Sequence, residues 1–269
     1  MTQRNRLFVL ALVGALFCAP FLVPMECTSI NDLNHIIEQL QPGDCLIVDV
    51  DDTLITPQAM MFRPQSPYHT FLDKIKKEKP HNLTDILSTW RLNRKICLVE
   101  PQWPEILTNL IKKGVTVLAL TQVNTGKFGK IISMEKWRAN ELTKLNLIFS
   151  PFAVDEIETI IADGEPATLY KGILSTGSHT KAAILEAFIN KYHRPSKIVF
   201  IDDRLQQVEC IFEFCKKSNI PYEGIHYLAA SKLPYHPDLD LGHIQTKMIL
   251  NQEWAEDDQI NNNLKAING

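Results

Sequence analysis

The apolar run Cys45-Leu46-Ile47-Val48 leads directly into the acidic stretch Asp49-Val50-Asp51-Asp52-Thr53. A short apolar run that ends at polar residues predicts a buried strand. Alternate side chains of a strand share a face, so Asp49 and Asp51 could lie on the same face of the sheet. The chain turns at this point, however, and one carboxylate could point in a different direction from the other. Two neighbouring acids favour a divalent cation with oxygen ligands. One carboxylate could then act as a nucleophile and the other as an acid or base.

Three later segments place further polar groups where they could join this pair. The apolar segment 114–120 ends at Thr121, and the segment 197–201 ends at Asp202 and Asp203. Between them, Lys181 opens an amphipathic helical pattern. Reactive groups of open α/β sheets lie at the carboxyl ends of the strands. We therefore expect these side chains to converge with Asp49 and Asp51.

The order of these patterns predicts the fold class. Apolar strands alternate with helical patterns, which indicates an α/β protein with a Rossmann-like, doubly wound parallel sheet and helices on both faces. Residues 56–100 interrupt the alternation with a helical pattern, and we interpret them as a small helical cap inserted after the first acidic strand. Ser29 is a good N-cap for a helix that runs to Leu40. Residues 169–174 are expected to form one strand, and 240–263 one C-terminal helix.

The chain at this point resembles the haloacid-dehalogenase-like superfamily of phosphohydrolases with an aspartate nucleophile. The resemblance covers about residues 42–230 and is carried by DVDDT at 49–53, LALT at 118–121, Lys181 and FIDD at 200–203. The chain also looks like an uncharacterised family of secreted bacterial members. That narrower resemblance is carried by the N-terminal segment, Trp137-Arg138 and the segment 170–176.

The resemblance implies a role for each motif residue. Asp49 would attack phosphorus to form an aspartyl-phosphate, and Asp51 would protonate the leaving oxygen and then activate water. Mg²⁺ would be held by Asp49, the main-chain carbonyl of Asp51 and Asp202. Thr121 and Lys181 would hold phosphate oxygens.

Four other positions near these motifs are open in role. Thr53 would tie down the loop after the strand. Asp203 has two interpretations, as a further metal ligand or as a partner of Lys181. Gln122 and Asn124 follow the phosphate-binding Thr121 and are candidates for the lining of the substrate pocket.

Residues 1–25 have the layout of a secretory signal peptide. Arg4 and Arg6 form a basic flank, and Leu7–Val23 is an uncharged, mostly apolar run of 17 residues. A spanning helix needs about 20 such residues, so a cleaved signal is favoured over an uncleaved N-terminal anchor. An exported protein, periplasmic or secreted, is therefore expected, with membrane contact only if this segment is retained.

Length and composition fit one domain over residues 26–269, and the resemblance implies that this domain is haloacid-dehalogenase-like. The net charge of −3 argues against a nucleic-acid groove, so the expected partner is a small-molecule phosphomonoester. The cysteines show no zinc-ligand spacing.

The leading hypothesis is an exported Mg²⁺-dependent phosphomonoesterase. The alternatives are a catalytically weak protein of the same fold that binds a partner or host molecule, and a phosphotransferase that uses an alcohol acceptor.

Overall fold

A computed structural model describes residues 24–66, 80–192, 194–236 and 238–268. Its central element is an eight-stranded sheet, and a separate two-stranded sheet stands beside it. The strands are β1 Met25–Cys27, β2 Cys45–Val48, β3 Ile55–Pro57, β4 Ile96–Leu98, β5 Thr116–Thr121, β6 Glu158–Ile161, β7 Ala167–Tyr170, β8 Ile173–Ser175, β9 Ile198–Asp202 and β10 Tyr222–Tyr227. The α-helices of the described residues are α1 Asn34–Gln39, α2 Leu83–Asn93, α3 Trp103–Lys113, α4 Met134–Thr143, α5 Lys181–Lys191, α6 Leu205–Lys217, α7 Leu239–Leu250 and α8 Asp257–Asn268.

The large sheet has the order β1-β10-β9-β2-β5-β8-β7-β6. Every neighbouring pair from β1 to β8 is parallel, whereas β7 and β6 are antiparallel to their neighbours. The α/β class expected from the sequence is confirmed, and the expected parallel sheet is mostly parallel, with β7 and β6 antiparallel. Strand β2 lies in the middle, between β5, which follows it in sequence, and β9, which comes much later. Strand order thus reverses at β2, and such a point opens a crevice at the carboxyl ends of the strands.

Alternation along the central strands produces two apolar layers. Leu46 and Val48 pack on one face with Trp103 and Leu107 of α3. Ile47 packs on the other face with Ile184 of α5. Both faces are covered, which explains why β2 is continuously apolar in sequence rather than alternating. Asp49 is the first polar residue after this strand.

Local sequence signals define the ends of several helices. Ser29 accepts a hydrogen bond from Asn31 N and caps a 3₁₀ turn, Ile30–Leu33, that leads into α1. Thr180 caps α5 by accepting from Ala183 N at 3.2 Å. At the end of α3, Gly114 adopts a φ of 89°, a conformation that glycine allows without a steric penalty.

The predicted single strand over 169–174 is wrong. Tyr170 ends β7, and Lys171 and Gly172 form the turn to β8 with φ values of 51° and 74°. A Cβ at Gly172 would lie 2.4 Å from Ser150 O, so the turn packs tightly against the neighbouring chain. The flanking apolar residues belong to two antiparallel strands, which a continuous apolar pattern does not distinguish from one.

The described part of the 56–100 insertion combines a β-ribbon with a helix. Strands β3 and β4 pair antiparallel at its base, and α2 lies between them in sequence. Its aromatic residues pack on the C-terminal segment, where Phe62 and Trp90 contact Trp254 at ring-centroid distances of 5.7 and 6.4 Å. Residues 67–79 of the predicted cap lie outside the described residues.

The predicted C-terminal helix over 240–263 is two helices, α7 and α8. The break between them includes Gln252, whose φ of 60° is incompatible with a continuous right-handed helix. Of the predicted leader over residues 1–25, positions 1–23 lie outside the described residues. Across the described ranges, no helix combines the length and apolar character needed to cross a bilayer.

Candidate phosphoryl-transfer site

Strand register brings the two acidic motifs together. Val48 of β2 pairs with Ile201 of β9, so Asp49 and Asp202 follow at adjacent positions of the two strands. Asp49 N donates to Ile201 O at 2.8 Å, which continues the ladder through the acidic residue. Both carboxylates are buried. The sheet therefore fixes two acids side by side at the crevice beside β2.

Lys181 joins this pair from the first turn of α5. Its side chain is only 1% exposed, and its ammonium group donates to Asp49 Oδ1 and to Asp202 Oδ2. A buried ammonium group needs such partners because desolvation strongly penalises an unpaired charge. Burial acts to lower the pKa of Lys181, but the two carboxylates outweigh it and the pKa is raised. Lys181 is thus held as a cation between the strand ends.

Asp203 completes a compact carboxylate cluster. One carboxylate oxygen from each of Asp49, Asp202 and Asp203 can be chosen so that all three lie within 4.8 Å of one another. Thr53 is fully buried, and its hydroxyl accepts from Asp203 N at 3.1 Å, so the loop after β2 is tied to the end of β9. Three clustered carboxylate oxygens match the hard oxygen donors that Mg²⁺ and Ca²⁺ select.

Electrostatic crowding within this cluster is visible in its pKa shifts. Burial raises the pKa of Asp49, and Asp202 raises it further against the opposing effect of Lys181. Burial likewise raises the pKa of Asp203, with added contributions from Asp49 and Asp202. One ammonium group does not offset three carboxylates, so a bound cation would favour their charged forms.

The side chain of Asp51 lies away from this cluster. The chain turns at Asp52, whose φ is 60°, and Asp51 Oδ2 accepts from Arg138 Nη2 at 2.6 Å. Arg94 Nη2 lies 3.6 Å from Asp51 Oδ1. Burial acts to raise the pKa of Asp51, but Arg138 and then Arg94 outweigh it and the pKa is lowered. The Asp51 side chain is still 44% exposed, so it borders open space rather than the core.

The remaining candidates differ in their surroundings. Thr121 ends β5 next to β2, is buried, and its hydroxyl has no hydrogen-bond partner among the described residues. Such an orphaned hydroxyl is uncommon in a buried position. Gln122 is exposed, and Asn124 donates to Glu165 at 3.4 Å, an interaction that holds its own loop. The structure therefore places Thr121 among the buried strand-end groups, with Gln122 on the surface beside it.

The sequence reasoning missed a buried ionic network behind Asp51. Glu141 accepts from Arg138 Nη1 at 2.8 Å and from Arg94 Nε at 3.0 Å, so it links both arginines. The sequence pattern does not predict the contact of Arg138 with Asp51. One sequence signal could have indicated this network. Helix α4 has too few apolar residues to form a buried face, so some of its charged side chains must be buried.

Comparison with known proteins defines the family. The chain belongs to the family described as "Protein of unknown function (DUF2608)", whose model matches residues 26–261. It is similar to "Uncharacterized protein RP296" of Rickettsia prowazekii (strain Madrid E), with 26% identity over 244 residues, 88% of this chain and 89% of the relative. An "Uncharacterized protein" of Rickettsia felis is 24% identical over 249 residues, 83% of this chain and 82% of that protein.

A third similarity is local. A "Putative outer membrane protein" of Chlamydia trachomatis serovar D is 36% identical over 93 residues, 32% of this chain and 34% of that protein. No solved structure matches the chain.

Proposed function

We propose that this protein is a haloacid-dehalogenase-like, Mg²⁺-dependent phosphomonoesterase that works through an aspartyl-phosphate on Asp49. The observation that carries the proposal is the convergence of Asp49, Asp202, Asp203 and Lys181 at the crevice beside β2. A structural role alone does not account for two buried acids, a partly exposed third acid and a buried lysine at a strand-order reversal. Buried ion clusters contribute little net stability, whereas ligands of open α/β sheets bind at this position.

The donor set fits a magnesium ion. Asp49, Asp202 and Asp203 would hold it through carboxylate oxygens, and the superfamily resemblance adds the main-chain carbonyl of Asp51. Asp203 thus joins the ligands expected from the sequence. The bound ion would supply positive charge that offsets the carboxylates and the incoming phosphate. The unpartnered hydroxyl of Thr121 provides a donor for a phosphate oxygen.

The reaction divides into two displacements at phosphorus. In the first, an oxygen of Asp49 forms a bond to phosphorus while the bond from phosphorus to the leaving oxygen breaks. In the second, water forms a bond to phosphorus and the Asp49–phosphorus bond breaks, which releases inorganic phosphate. Lys181 and Thr121 stabilise charge on the phosphate oxygens in both steps. Asp51 would donate a proton to the leaving oxygen and accept one from water.

The surroundings of Asp51 limit its use as an acid. Arg138 and Arg94 stabilise its carboxylate form, and a general acid works best when its pKa lies near the working pH. This ion pairing is the observation that favours a second candidate function, a protein of the same fold that binds its ligand and turns over little. Esters with good leaving groups need little protonation of the leaving oxygen. On such esters, a poor acid at Asp51 reduces turnover least, so the two candidate functions differ least there.

The test is phosphate release from a broad panel of phosphomonoesters. We expect turnover in Mg²⁺ that disappears in EDTA and in Asp49→Asn, and that persists in Asp155→Asn, which removes an exposed loop carboxylate outside the cluster. Beryllium fluoride with Mg²⁺ should form a phosphate-mimic adduct at Asp49. A folded protein that binds Mg²⁺ but releases no phosphate from any ester would favour the binding protein. Added alcohol that captures the phosphoryl group would identify a phosphotransferase.

We also propose that the protein is exported, to the periplasm or beyond. The support is the basic flank and apolar run within residues 1–25, together with the local similarity to the chlamydial protein named "Putative outer membrane protein". Fractionation of the source cells, followed by mass determination of the native N-terminus, tests this. An intact N-terminus in the cytoplasmic fraction would refute export.

A further inference from the structure

A cleft lies between α2 of the insertion and α4 of the main domain. Its volume is about 410 Å³, enough for a small organic anion. Basic and amide side chains line it around one indole ring: Arg91, Arg94, Lys95, Trp137, Asn140 and Lys144. Glu141 is the acidic side chain in this lining. The cleft is therefore strongly cationic although the whole chain carries a net charge of −3.

Three guanidinium groups crowd around the Trp137 ring. Those of Arg91, Arg94 and Arg138 lie 5.8, 5.4 and 4.9 Å from the ring centroid. Arg94 and Arg138 share the carboxylates of Glu141 and Asp51, as described above. Two carboxylates thus face three guanidinium groups, which leaves one positive charge unbalanced.

Arg91 carries this unbalanced charge. Among the residues that the structure describes, no carboxylate lies within ion-pair distance of it. Its contacts are Met134 Sδ at 3.8 Å and the Phe128 ring, whose centroid is 4.6 Å away. Burial lowers the pKa of Arg91 to about 10, and repulsion from Arg138 and Arg94 adds to this effect. A bound anion would relieve this repulsion.

The cleft adjoins the catalytic crevice through Arg94. That side chain lines the cleft and also reaches Asp51, whose carboxylate stands beside the open end of β2. We propose that the cleft binds a second acidic group of the substrate, a phosphate or carboxylate, through Arg91 and Arg94. The assignment of that group to the substrate rests on the proposed phosphatase function. The substrate class is then an anionic phosphomonoester, such as a phosphorylated acid or a bisphosphate.

The first experiment measures binding without turnover. In metal-depleted buffer without added chelator, the cluster of Asp49, Asp202 and Asp203 repels anions, so the binding of inorganic pyrophosphate should depend on the cleft. Calorimetry should give an affinity about tenfold weaker for Arg91→Met, corresponding to the loss of one charge-assisted hydrogen bond. The matched control is Lys136→Met, which removes an exposed cation of α4, the opposite wall of the cleft, at a position outside the cleft lining. Circular dichroism establishes that each variant is folded.

Arg91→Lys provides an internal check. It retains the charge but loses the planar fork, so its affinity should fall between those of the wild type and Arg91→Met. Absence of pyrophosphate binding, or equal affinities in Arg91→Met and Lys136→Met, would overturn the proposal.

The second experiment links the cleft to catalysis. Phenyl phosphate and carboxyphenyl phosphate differ by one carboxylate, and the ratio of their kcat/KM values measures the preference for the second acid. We expect this preference to fall about tenfold in Arg91→Met relative to Lys136→Met. Binding that depends on Arg91 without hydrolysis of any ester would refute the phosphatase function and leave the anion site standing. Hydrolysis whose preference is independent of Arg91 would refute the substrate assignment alone.

Discussion

Replacement of Arg138 by methionine tests whether the network behind Asp51 is structural as well as electrostatic. Arg138 is 2% exposed and donates to Asp51 at 2.6 Å and to Glu141 at 2.8 Å. Methionine fills a comparable volume without charge or strong hydrogen-bond donors. The substitution therefore removes two charge-assisted hydrogen bonds while it maintains most of the packing of α4.

The expected loss of stability is about 3 kcal/mol. Removal of one partner from a buried ion pair costs about 3–5 kcal/mol, because the remaining charge is left uncompensated. Two features reduce this figure here. Asp51 is 44% exposed and can recover water, and Glu141 retains its hydrogen bond from Arg94 Nε. The expected loss of stability therefore lies at the lower end of the 3–5 kcal/mol range.

Thermal and urea unfolding measure this loss. For a domain of this size, 3 kcal/mol corresponds to a fall in Tm of about 6–12 °C. The matched control is Lys136→Met on the same helix, where we expect a change within about 0.5 kcal/mol. A loss below about 1 kcal/mol in Arg138→Met would refute the reasoning, since it would mean that the desolvation cost of the network equals its electrostatic gain.

Three further predictions concern residues remote from the site. Glu100→Gln should lower the free energy of unfolding by about 1–3 kcal/mol, because Glu100 accepts hydrogen bonds from the N-terminal 3₁₀ turn and from Tyr227. An unchanged midpoint in urea titrations would contradict this. Gly129→Ala should lower Tm, because a Cβ there would lie 2.4 Å from Ser88 Oγ and from the α2 backbone; a Tm equal to wild type would show that α2 yields freely. Cys45 is a buried free thiol whose pKa is raised by burial, so it should react with a thiol reagent only on unfolding, and rapid native-state labelling would count against the described core.

The strands that carry the site could be predicted because each is an uninterrupted apolar run that ends in a polar residue. Burial on both faces of a parallel sheet produces that pattern, and the carboxyl ends of such strands meet at one edge. Asp49 and Asp202 are adjacent for this reason alone. Their contact with Lys181 also follows from the sequence, since a lysine that opens a helix after a strand lies at the same edge.

The partners of Asp51 could not be predicted in this way. Arg138 and Arg94 come from a helix and a helix end that are distant in sequence, and the pattern of neither segment encodes their meeting. Turn chemistry accounts for the two errors of secondary structure. Lys171 and Gln252 adopt positive φ values that are uncommon for these residue types, so neither residue signals a turn or a helix break by itself. Gly172 is the local signal for the turn after Tyr170.

Strand β1 shows where the described chain enters the sheet relative to the crevice. Strand β1 is an edge strand that runs parallel to β10, so the chain enters the sheet at the end opposite to Asp49 and Asp202. Met25, at the start of β1, therefore lies at the amino ends of the parallel strands, away from the carboxyl ends where Asp49 and Asp202 meet.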